Sequence, residues 1–220
     1  MSTKTKGRQA KVEEPMTAVR DRVLAFKREQ ILKAAADLFY ERGYQGTTLD
    51  QVAQRLGVTK PFIYYHFKNK AEILHQIAHP SIERINAALD EALHSEGSAA
   101  ARLRKAIIAI TETMLDQQRY TAIYFREEKN FTPQAKAAQD RLRRAHDVKL
   151  RRLLEEGIAS GEFRIDDSRF CVLAISGMTN WGYVWFNPDG RLTMAEVGEK
   201  MAELVLRMVG ADEAAAGGSR

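Results

Sequence analysis

The chain holds one cysteine, Cys171, among 220 residues. No internal disulfide can form, and a fold stapled by cross-links is excluded. Proline (5) and glycine (14) are scarce, and alternating β-branched runs are hard to find. That combination disfavours sheet and turn-rich folds and points to an all-helical chain. No run of about 18 apolar residues is present, and the N-terminus lacks the apolar stretch of a secretory signal. The expectation is a protein of the reducing cytoplasm without a membrane span. Motifs of catalysis are missing too. There is no zinc-type His/Glu spacing, no glycine loop for phosphate and no nucleophile elbow. Cys171 sits in the most apolar segment, where burial keeps a thiol inert. An enzyme is therefore not expected.

What is present is unevenly placed. Residues 1–75 carry 14 Lys and Arg against 8 Asp and Glu, while the remainder carries 20 against 21. The whole positive surplus lies in the first third. A basic module beside a neutral one fits one part for a polyanion and another for a different task. Residues 1–19 are polar and basic and read as a disordered arm. Residues 20–70 read as a small helical module, 71–210 as a larger helical domain, and 211–220 as a loose tail.

Within the module, Leu24, Ile31, Ala35, Leu38 and Phe39 recur at helical spacings up to Gly43. Thr48 and Gln51 form a capping-box pattern ahead of Val52, Ala53 and Leu56. Gly57 turns the chain. Thr59 then caps a third helix, with Pro61 in its first turn and Ile63 and Phe67 on its buried face. Three short helices, the last two joined by a tight turn, make a helix-turn-helix. Thr59, Lys60, Tyr64, Tyr65 and His66 remain at the start and outer face of the third helix. An α-helix fits the major groove of B-DNA, and residues near its N-terminus reach base edges and phosphates. Thr48 and Lys70 are placed to meet the phosphate backbone. For His66 a second role is open, a hydrogen bond back to the first helix.

Gly43-Tyr44, Thr47-Thr48, Val52-Ala53, Gly57-Val58-Thr59 and Tyr64-Tyr65-His66-Phe67 with Lys70 closely resemble the DNA-binding domain of TetR-family repressors. The likeness covers about residues 25–75. It implies that Thr48, Thr59, Lys60, Tyr64, Tyr65, His66 and Lys70 hold the family's DNA-contacting positions. It further implies a palindromic double-stranded operator, a homodimer and a small-molecule effector. Many family members carry Gly where Pro61 stands, so a backbone N–H contact from that position is lost here.

The larger domain reads as about six further helices, near 71–94 (with Pro80 expected to kink it), 99–118, 121–128, 133–160, 168–187 and 193–209. Thr193 and Glu196 form a second capping box. The 168–187 segment is apolar or small all round, which calls for burial on every side. Together with Met194, Val197, Met201, Leu204, Val205 and Met208 it fits a four-helix dimer interface. Two aromatic groups mark a candidate pocket. Met178, Asn180, Trp181 and Trp185 form one; Tyr124 and Phe125, beside Arg126, form the other. Arg143 and His146 fall on the inner face of the 133–160 helix, where polar groups need partners from the protein or a ligand. The segments around 124–128, 161–164 and 179–198 resemble ligand domains of TetR relatives that sense acyl-coenzyme A thioesters, and no resident cofactor is implied. A drug, a free fatty acid or another amphipathic ligand, or an effector-free DNA-binding protein, are the alternatives.

Overall fold

The computed structural model describes residues 16–211. It is all-helical over that range, as expected. The helices are α1 (Met16–Arg42), α2 (Leu49–Leu56), α3 (Lys60–His66), α4 (Lys70–Leu93), α5 (Ala99–Asp116), α6 (Gln118–Glu127), α7 (Pro133–Ala159), α8 (Ser168–Asn180), α9 (Gly182–Trp185) and α10 (Met194–Met208). Of the expected arm, residues 16–19 open α1 and the rest lies outside the described residues, as does the tail beyond Ala211.

The ends of the helices follow local chemistry. Thr48 accepts from the Gln51 backbone N–H while the Gln51 side chain accepts from the Thr48 N–H, a complete capping box. Thr193 and Glu196 make a second one at α10. Gly57 ends α2 at φ 65°, a left-handed position that suits glycine. Thr59 is the N-cap residue of α3, but its side chain makes no capping bond. Pro61 in the first turn, whose missing N–H costs nothing there, sets the start of α3 instead. Pro80 does not end α4. The carbonyl it leaves without a partner belongs to Gln76, an exposed residue that water can serve.

Two buried clusters organise the packing. The first holds Ile31, Leu38 and Phe39 of α1, Val52 of α2, and Ile63 and Phe67 at α3. It does not stop at residue 70. Ile73, Leu74 and Ile77 of α4 and Ile123 of α6 belong to it. The second lies around α5, whose Leu103, Ile107, Ile110 and Met114 are almost fully buried against α4, α7, α8 and α10. α4 and α6 thus contribute to the DNA-binding module and to the walls of the larger domain.

The expected single helix over 168–187 is two. α8 ends at Asn180, and the one-turn α9 follows. Gly182, at the join, is buried with Leu115 so close that an added Cβ would lie 3.1 Å from its methyl. A tighter approach occurs on α7. A Cβ at Gly157 would lie 2.1 Å from the buried ring of Phe163, which folds back over the helix. Gly157→Ala should therefore displace that ring and lower stability by about 1–3 kcal/mol. Urea denaturation of the two proteins measures it; an unchanged midpoint would mean the ring has room to move.

Candidate functional site

The loop 43–47 fixes how α2 and α3 stand on α1. Gly43 takes φ 74°. The buried Thr47 hydroxyl donates to Gly43 O at 2.9 Å and lies 3.2 Å from Leu38 O. The Lys70 ammonium donates to Tyr44 O at 2.7 Å and to Thr47 O at 2.8 Å, and lies over the Tyr44 ring at 4.2 Å. Burial pushes its pKa down, with Glu127 opposing. From the other side, the Tyr44 N–H donates to the Glu127 carboxylate at 3.1 Å. That carboxylate also accepts from Asn130, whose carbonyl oxygen accepts from Gln45.

On this frame the seven residues singled out for DNA separate into two groups. Tyr64 and Tyr65 are 50% and 75% exposed on the outer face of α3. Thr48, Thr59 and Lys60 are exposed as well. Lys60 bonds Asp50 at 2.7 Å, and that carboxylate raises its pKa. The pair is open to solvent, so Lys60 can trade Asp50 for a phosphate at small cost. His66, by contrast, is 7% exposed. Its ring packs edge-on to Phe62 and Tyr65, and its carbonyl accepts from Arg28 of α1. Burial, then Arg28 and Lys27, lower its pKa. The link to the first helix is real but runs through the backbone carbonyl, so the imidazole does not face outward for DNA. Lys70 is likewise engaged internally, on the loop.

A second site lies in the larger domain. A cavity of about 400 Å³ opens between α4, α5, α6, α7 and α8. Of the residues singled out from the sequence for a ligand, Tyr124, Phe125, Arg143, His146 and Asn180 line it. Arg126, Met178, Trp181 and Trp185 do not. Helix phase explains each. Arg126 turns toward α1 and lies 5.2 Å from the centre of the Tyr40 ring. Met178 packs on the core around α5. Trp181 and Trp185 are exposed on the outer side of α8 and α9. The ligand was expected beneath α4, but none of its wall residues, Ala78, Ser81, Ile82 and Ile85, was singled out, although their three- and four-residue spacing marks one helix face. Sequence reading also missed Thr121 and Ser176, which no local signal distinguishes.

His146 is half-buried with its Nδ1 atom shut off from solvent, and burial pulls its imidazole below the usual range, with Asp147 opposing and Lys149 adding to the fall. Tyr124 is raised, chiefly by burial. Arg143 bonds Asp140 at 2.8 Å. Among the described residues no helix is long and apolar enough to cross a membrane.

Two family models match the chain. Residues 31–77 match "Bacterial regulatory proteins, tetR family", and residues 96–209 match "Tetracyclin repressor-like, C-terminal domain". The chain is similar to the HTH-type transcriptional repressor KstR2 of Mycolicibacterium smegmatis, 26% identical over 83% of this chain and 90% of that one. The TetR-family regulator PfmR from Thermus thermophilus superposes with a TM-score of 0.76, at 32% identity, over 80% of this chain and 97% of its own. AibR, solved with isovaleryl coenzyme A and operator DNA, superposes with a TM-score of 0.70 at 25% identity, over 83% and 97%. A helix-turn-helix with an exposed aromatic α3, joined to a helical domain that encloses a cavity, is the arrangement found in this chain. The chain belongs to the TetR family of DNA-binding transcriptional regulators and is not an enzyme.

Proposed function

We propose that the chain is a repressor that binds a palindromic operator as a homodimer and releases it when an acyl-coenzyme A thioester enters the cavity. The observation that carries this reading is that α4 and α6 each wall the cavity and each hold the loop 43–47. α4 brings Ala78, Ser81, Ile82 and Ile85 to the cavity and Lys70 to the loop. α6 brings Thr121, Tyr124 and Phe125 to the cavity and Glu127 to the loop. A ligand that moves either helix moves the recognition helix with it. It favours release only by binding the DNA-free arrangement more tightly.

The effector class is supported by the apolar lining and by AibR, which is solved with isovaleryl coenzyme A. Repression is supported by the likeness to KstR2. The homodimer is supported by an apolar stripe on α8 that no described residue covers. Phe170 and Leu173 are 68% and 65% exposed, and Trp181, Val184, Trp185, Leu204 and Met208 extend the surface onto α9 and α10. Patches of this kind mark interfaces. A two-fold axis there can set two α3 helices about 34–36 Å apart, one turn of B-DNA.

The decisive experiment follows fluorescence anisotropy of a labelled operator, selected from a random-sequence pool, while acyl-coenzyme A thioesters are added. Saturable release by some thioesters, with free coenzyme A and free acids inactive, is the expected result. Should every thioester leave the DNA bound, the effector class is wrong. Tyr64→Ala and Lys60→Ala should each weaken operator binding about tenfold or more without lowering the melting temperature. Wild-type affinity in both would remove α3 from the DNA contact. Phe170→Glu combined with Leu204→Glu should give a monomer in sedimentation, and a persistent dimer would place the interface elsewhere.

A further inference from the structure

Three polar side-chain atoms at the cavity are buried and have no hydrogen-bond partner: Thr121 Oγ1 of α6, His146 Nδ1 of α7 and Ser176 Oγ of α8. Helical hydroxyls ordinarily bond back to a carbonyl one turn earlier. Thr179 does so, donating to Ile175 O at 2.9 Å from the same wall. Thr121 and Ser176 do not. A buried hydroxyl left unpaired costs on the order of 1–3 kcal/mol. Two such hydroxyls and one unpaired imidazole nitrogen, on three helices, belong to residues that line one otherwise largely apolar space.

The charges nearby narrow the chemistry. Arg143 is the arginine of the lining, but its side chain is about half exposed and pairs with Asp140, so its charge is screened by water rather than held inside the cavity. Asp147 adds a negative charge to the wall. Burial favours the uncharged form of the His146 imidazole. Two hydroxyls and a neutral imidazole can hold a carbonyl or hydroxyl oxygen, but they do not offset a carboxylate in an apolar space. Size adds a limit. At about 30 Å³ for each water-sized group, 400 Å³ admits roughly a dozen non-hydrogen atoms.

We infer that the cavity takes an uncharged hydrocarbon group of roughly that size bearing one carbonyl or hydroxyl oxygen, held by Thr121, Ser176 and His146, and that it rejects the corresponding free acid. The inference rests on the reading of this cavity as the effector site. For a thioester it places the acyl group inside with its carbonyl at the three side chains. The much larger coenzyme stays outside.

Calorimetry on the full chain at pH 7.5 tests this with octan-2-one and octanoate, probes of matched length. The ketone should bind at least about tenfold more tightly than the acid. Thr121→Val with Ser176→Ala should remove that preference. Ser176→Ala alone, the milder change, should weaken the ketone several-fold and keeps the test valid if the double variant does not fold. Equal binding of ketone and acid, or wild-type ketone binding by the folded variants, overturns the inference. If the ketone binds as described but no thioester releases DNA, the cavity chemistry stands and the effector class falls. If thioesters release DNA while the ketone does not bind, the cavity chemistry falls and the effector class stands.

Discussion

One hydrogen bond joins the two halves of the molecule most directly, that from the Tyr44 N–H to the buried Glu127 carboxylate. A carboxylate removed from water needs partners. Glu127 has Tyr44 N–H and Asn130 on its two oxygens, and the Lys70 ammonium bonds the carbonyl of the same Tyr44. Both backbone groups of Tyr44 are thus gripped, one by the end of α6 and one by the start of α4. Losing a hydrogen bond to a buried charged group costs on the order of 1.5–3 kcal/mol, comparable to the roughly 1–3 kcal/mol that couples two ligand sites, so this contact is strong enough to carry motion of α6 to the loop.

The ion pairs and ring contacts around this bond act in the same direction. Arg119 of α6 bonds Asp37 of α1, and Arg119 and Arg126, seven residues apart on one face, both lie over Tyr40. α6 therefore holds α1 along two turns, while Ile123 buries itself in the core of the module. Arg28 of α1 then holds the end of α3 through the His66 carbonyl, with its guanidinium over the Phe67 ring. The path from cavity wall to recognition helix is a series of packed, hydrogen-bonded elements.

Much of this fold was legible because its signals are local. The capping boxes at Thr48 and Thr193, the glycine stop at Gly57 and the apolar spacing of α1 and α5 depend on residues within a turn or two of each other. The loop junction was not legible, because Tyr44 and Glu127 are 83 residues apart and nothing near either announces the other. The neighbouring Arg126 attracted notice through its charge, yet one residue is 100° of helix. That rotation sends Arg126 to Tyr40 and Glu127 to Tyr44. His66 and Lys70 carry side chains suited to DNA, and only the tertiary structure shows the His66 ring buried and the Lys70 ammonium bonded to the loop. Trp181 and Trp185 show the opposite case. Aromatic residues flagged a pocket, but α8 is apolar on both faces, and composition does not say which face meets the cavity.

That two-faced helix links the two tasks of the larger domain. Cys171, Val172, Ile175 and Thr179 turn toward the chain's own interior, while Phe170, Leu173, Gly177 and Trp181 turn outward. Leu173 and Gly177 also belong to the cavity wall, so the wall is thin at α8. In the proposed dimer the outward stripe is covered by the partner. The same helix then carries the subunit contact on one side and the three-helix polar end of the cavity, through Ser176, on the other. A ligand that draws Ser176, Thr121 and His146 toward one oxygen pulls α8, α6 and α7 together. In that proposed dimer α8 is held at the two-fold axis, and the pull reaches α6, whose far end is Glu127 at the loop that aims α3.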